Sequence, residues 1–73
     1  MDKSVVSERL KRERMAKGVT MQVLADVIGI QTGGAYYRKE RGLLNFSLEE
    51  AIKLARFFGK TVEELFGDAV PEE

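Results

Sequence analysis

Apolar residues return along this chain at intervals of three and four, in short blocks cut apart by glycines and hydroxyl residues, and the blocks predict five helices. The first runs from about Val5 to Lys17, with Ser4 as its N-cap, Leu10 pointing inward and Gly18 just past its end. Its other face, with Arg9, Lys11, Arg12 and Glu13, reads as a solvated charged surface. The second starts at the capping hydroxyl of Thr20, carries Leu24, Ala25 and Ile28 inward, and stops at Gly29. The third spans about Gly33 to Arg41, capped by Thr32 and ended by Gly42. Two glycines in its first turn each weaken it by up to about 1 kcal/mol relative to alanine, so packing must hold it. Ser47-Leu48-Glu49-Glu50 and Thr61-Val62-Glu63-Glu64 are capping boxes, each pairing an N-cap hydroxyl with a glutamate three residues on. They open a fourth helix with a buried stripe of Leu48, Ala51, Ile52, Ala55 and Phe58, and a short fifth from Val62 to Phe66. The tail from Gly67 through Pro71 has no pattern and is expected to fray. No strand signal and no repeat occur, so the fold class is all-α, one domain over residues 1–73 with its core in about 5–67.

Seventy-three residues leave a small core, since a chain of this length buries only about 60% of its unfolded surface. Without cysteine there is no disulfide and no thiolate metal site, so helix packing, supplemented by dimerisation, must supply stability. Apolar runs of four residues or fewer exclude a membrane span, and the expected location is cytoplasmic. Absent histidine as well, the commonest general base and nucleophile are missing; catalysis is not expected, and no metal or cofactor is implied. The zero net charge conceals a division: residues 1–42 hold nine basic and five acidic groups, residues 43–73 three basic and seven acidic. A domain polarised in this way can present one basic face to nucleic acid.

The segment Thr20–Gly42, TMQVLADVIGIQTGGAYYRKERG, joins two short helices through a Gly-containing turn and concentrates Tyr36, Tyr37, Arg38, Lys39 and Arg41 on the second. A helix-turn-helix of this form places its second helix in the major groove of DNA. The ordered set Arg14, Gly18-Val19-Thr20, Leu24-Ala25, Gly29-Ile30, Glu40-Arg41-Gly42, Ser47-Leu48-Glu49 and Leu65-Phe66 resembles the domain shared by phage Cro and C1 repressors and Xre-type regulators, over about residues 5–67. The resemblance implies a five-helix, lambda-repressor-like fold and a homodimer that binds an inverted-repeat operator in double-stranded DNA, in the role of a repressor.

It also implies roles for single residues. Arg14 and Glu40 match a buried pair that ties the recognition helix to the first helix, a pairing that suits the bidentate geometry of guanidinium and carboxylate. Tyr36 falls at an inward position, with its hydroxyl expected at the rim. Arg38 leads as a base contact, because its fork can bond guanine O6 and N7 together. Tyr37, Lys39 and Arg41 are expected on phosphates, with Asn45 a weaker backbone contact from the loop. The family's C-terminal helices meet in its dimers, which directs the interface expectation to Phe57, Leu65, Phe66 and Val70.

Two departures alter that map. Met21 stands where the family commonly has a phosphate-binding glutamine, and Gln22 beside it is the substitute candidate. The interval from Gly29 to Gly42 is one residue longer than the family's, with the extra residue around Gln31 and Thr32. Gly33 and Gly34 then occupy positions where polar side chains often read bases. Either their bare backbone approaches a phosphate, or they accommodate the insertion and readout passes to Gln31, Thr32, Gly34 and Arg38, with more weight on DNA shape. A competing reading keeps the fold but makes it a protein-interaction module, such as an antitoxin that binds a protein partner.

Overall fold

The structure, a computed structural model, describes residues 3–67 and 70–71, with side chains from Glu8 onward. Five helices follow one another: α1 (Lys3–Lys17), α2 (Met21–Ile28), α3 (Gly33–Glu40), α4 (Leu48–Phe58) and α5 (Val62–Phe66). Among the described residues there is no strand, and no helix is long and apolar enough to cross a membrane. The fold is a small all-helical one. The expectation of a frayed tail falls largely on 68, 69, 72 and 73, outside the described residues.

Local chemistry sets most of the boundaries. The Thr20, Thr32, Ser47 and Thr61 side chains accept from the backbone N–H three residues on, and both capping boxes close, with Glu50 and Glu64 reaching back to Ser47 N and Thr61 N at 2.9 Å each. The backbone bond lowers the pKa of the Glu64 carboxyl from its ordinary value. One boundary differs from expectation: α1 begins at Lys3, so Ser4 lies in its first turn and does not cap it. Nothing at Lys3 breaks a helix, and serine is tolerated in a first turn.

The core gathers Leu10 of α1, Leu24, Ala25 and Ile28 of α2, Tyr36 of α3, Phe46, Ala51, Leu54 and Ala55 around α4, and Leu65 and Phe66 of α5. Helix α2 packs on α3 and α4, α5 closes against α1 and α4, and α1 also touches α3. In α4 the inward stripe is Ala51, Leu54 and Ala55, while Ile52 is exposed and Leu48 and Phe58 are half-buried. Spacings of three and four fit both phases, and the contact of α4 with α5 as well as α2 selects the one containing Leu54. Phe46, which no periodicity marks, is buried between Tyr36 and Phe66, its ring centroid 6.1 and 5.5 Å from theirs. It precedes the Ser47 cap, and Ala51, four positions into α4, is buried with it, the residue pattern of a hydrophobic staple.

Candidate nucleic-acid interface

The turn between α2 and α3 is fixed from both sides. Gly29 takes a left-handed conformation (φ 81°), and Ile30 N donates to Ala25 O at 3.0 Å, closing the end of α2. Across the turn, Gln22 acts as a latch. Its Oε1 accepts from Gly33 N at 3.0 Å, and its Nε2 donates to Asp26 Oδ1 at 3.1 Å and to Gln31 O at 3.4 Å. The two helices meet so closely there that a Cβ on Gly33 would stand 3.2 Å from Gln22 N. Gly33 is thus explained inside the chain, by helix packing. The Gly33 N–H and the Gln22 amide oxygen, both expected on phosphate, bond each other in the unbound chain. Gly34 differs, because a Cβ there would meet only Thr32 Oγ1, at 3.9 Å.

The far end of α3 is tied to α1. Arg14 Nε and Nη2 donate to Glu40 Oε2 and Oε1 at 3.0 and 3.1 Å, a bidentate pair in which the Glu40 side chain is 4% exposed and that of Arg14 13%. The bond to Glu40 raises the Arg14 pKa, so the guanidinium stays charged. Tyr36 is wholly buried, and among the described residues its hydroxyl makes no hydrogen bond within ordinary geometry. That corrects the expectation of a hydroxyl at the rim. Burial, and after it the nearby Glu40 carboxylate, pushes the phenol well above its usual ionisation range. The ring's place beside Phe46 in the core takes the hydroxyl in with it.

The basic residues of α3 divide. Lys39 turns toward α4: its Nζ donates to Asn45 O and Glu50 Oε1 at 2.9 Å each and sits 5.8 Å from the Phe46 ring centroid. Three internal attractions hold this ammonium and join α3 to α4, so a phosphate contact by Lys39 would have to compete with them. Arg41 and Tyr37, one helical turn apart, form an exposed unit in which Arg41 Nη1 donates to Tyr37 Oη at 2.9 Å and lies 5.4 Å from its ring centroid. Arg38 is exposed, and its side chain makes no hydrogen bond or ion pair among the described residues. Gln31, Thr32 and Gly34 are exposed at the opposite end of the helix, and the Thr32 hydroxyl accepts from Ala35 N. Asn45 is exposed in the loop, where its carbonyl serves Lys39.

The expected dimer surface is reduced. Leu65 and Phe66 are 0% and 1% exposed, buried in the core where α5 closes on α1 and α4, so they have no area to offer a partner. Phe57 and Val70 are half-buried against the same core. Among the described residues, the large apolar side chains most exposed are Leu43 and Met15. Sequence reasoning missed Gln22 as a latch and Phe46 as a core residue. It also missed Arg9, whose Nη1 donates to Glu63 O of α5 at 3.4 Å. The apolar residue before a serine cap was a usable signal for Phe46; the other two depend on contacts between distant segments.

No curated protein and no solved structure gives a significant match to the chain. A model of the Cro/C1-type helix-turn-helix family matches residues 10–65, from the inward leucine of α1 to the buried leucine of α5, and includes the capped turn, α3 and the Arg14–Glu40 pair. Over three-quarters of its length, therefore, the chain belongs to the helix-turn-helix family of DNA-binding regulators.

Proposed function

We propose that the protein is a sequence-specific transcriptional regulator that lays α3 in the major groove of duplex DNA and acts as a repressor by occupying its operator. The observation that carries this reading is Arg38: an exposed guanidinium without an internal partner among the described residues, on a helix anchored at one end by Gln22 and at the other by Glu40. A bidentate contact from Arg38 to guanine is worth about 1–3 kcal/mol of discrimination. Around it, Tyr37, Arg41 and Asn45 supply backbone contacts, and Gln31, Thr32 and Gly34 face the flanking bases.

One arginine per domain gives too little discrimination to select a single operator. A homodimer on an inverted repeat doubles it and places two α3 helices in successive major grooves about 34 Å apart. Leu65 and Phe66 take no part in that dimer. Binding of fluorescent duplexes between about 50 and about 200 mM salt tests the reading. Affinity that falls steeply with salt, and that Arg38→Ala lowers while flattening base preference, supports it. The antitoxin-like alternative predicts no binding to any duplex at low salt.

A further inference from the structure

Between α1 and the second half of α3 lies a cleft of about 480 Å³ whose polar walls are Glu8, Lys11 and Arg14 on one side and Tyr37, Glu40 and Arg41 on the other. Arg14 and Glu40 neutralise each other there, through bonds of 3.0 and 3.1 Å. What remains is one free ammonium, Lys11, facing one anchored guanidinium, Arg41, with Glu8 as the single opposing charge. Lys11 is exposed and has no side-chain hydrogen bond or ion pair among the described residues. The Tyr37 hydroxyl already accepts from Arg41 and keeps its own proton to donate. Two cations and a neutral donor around an open cleft suit a small anion rich in acceptor oxygens, and phosphate is the group of that description. Tyr37 on α3 and Arg41 at its C-cap lie on either side of Arg38 in sequence, so a duplex engaged by Arg38 runs its backbone past this opening.

We propose that the cleft seats a backbone phosphate of the bound duplex, and that Lys11 is a DNA contact contributed by α1. This rests on the DNA-binding reading above. It changes the status of α1, whose charged face reads from sequence as solvated surface only.

Salt-dependent duplex affinity of wild type, Lys11→Ala, Glu8→Gln and Arg12→Ala tests the proposal, with thermal melts to show that each variant is folded. Arg12 is an exposed cation of the same helix outside the cleft. Expected results are a several-fold loss for Lys11→Ala on cognate and unrelated duplexes alike, and a log–log salt slope shallower by about 1.8 for the dimer, since each protomer loses one phosphate contact worth about 0.9. Glu8→Gln strengthens binding, and Arg12→Ala leaves the slope unchanged. Wild-type affinity and slope in Lys11→Ala overturn the proposal while leaving the DNA reading intact, as does an equal fall in slope for Arg12→Ala. Failure of the wild type to bind any duplex overturns both. Inorganic phosphate added at constant ionic strength separates the sources: saturable competition that Lys11→Ala abolishes would assign the cleft to a free phosphorylated ligand and overturn the DNA-backbone assignment.

Discussion

Replacing Arg14 with methionine keeps most of the side-chain volume and removes the guanidinium, leaving Glu40 without either of its bonds. The Glu40 side chain is 4% exposed, so water cannot take the place of Arg14 at both oxygens. Breaking a buried pair from one side costs about 3–5 kcal/mol. Because the Arg14 side chain is itself 13% exposed, solvent can follow it in, and the lower end, about 3 kcal/mol, applies. Against a total of roughly 4–11 kcal/mol for 73 residues, that is a large share of the stability. In a domain of this size it corresponds to a fall in Tm of about 12–24 °C. Urea unfolding followed by helical circular dichroism should show an unchanged slope and a midpoint lower by roughly 3 M, taking about 1 kcal/mol per molar. The loss arises from an orphaned carboxylate, so Arg14→Met combined with Glu40→Leu should recover much of it. A single variant within about 0.5 kcal/mol of wild type, the ordinary scatter of surface substitutions, would refute the buried-pair reasoning. A double variant no more stable than the single would refute its mechanism.

Three further outcomes follow from the same geometry. Gly34→Ala should stabilise by about 0.5–1 kcal/mol, having only Thr32 Oγ1 near its new methyl, whereas Gly33→Ala should destabilise, because its methyl meets the Gln22 backbone at 3.2 Å; paired urea titrations read the opposite signs. Lys39→Met should lose about 1 kcal/mol of stability through Glu50 and Asn45 and leave the salt slope of duplex binding at the wild-type value. The Tyr36 phenol ionises higher in the folded state than in the unfolded chain, so its contribution is complete below about pH 10 and is lost as the pH rises above it; stability should drop in alkali for wild type and drop less for Tyr36→Phe, as pH-dependent melts would report.

The parts of this fold that were legible in sequence are those set by neighbours in the chain. Thr20, Thr32, Ser47 and Thr61 announce helix starts because a hydroxyl three residues from an orphan N–H needs nothing more than local geometry. Gly29 and Gly42 announce ends for a similar reason. The Arg14–Glu40 contact spans distant segments and became visible through resemblance to a family; its chemistry then made it plausible. What stayed hidden depends on where a side chain turns in three dimensions. Lys39 and Arg38 are adjacent basic residues on one helix, yet one turns toward Glu50 and the other toward solvent, and composition gives them the same appearance. Gln22 read as a stand-in for a phosphate ligand, because its partners Gly33 and Gln31 approach only when the turn between α2 and α3 has closed. Leu65 and Phe66 looked surplus to a small core until α5 folded back over α1 and α4. In α4 the periodicity was correct and Ala51 and Ala55 lie inward as read, but Leu54 takes the buried place given to Ile52, a choice that tertiary contacts make.

Selection of bound duplexes from a random pool, with wild type and Arg38→Ala in parallel, tests the central claim most directly. The account predicts an enriched inverted repeat whose half-sites lie about 10 base pairs apart, each with a guanine whose preference is relaxed in Arg38→Ala. A pool that shows no enrichment at low salt, or the same motif at the same strength from both proteins, would contradict it.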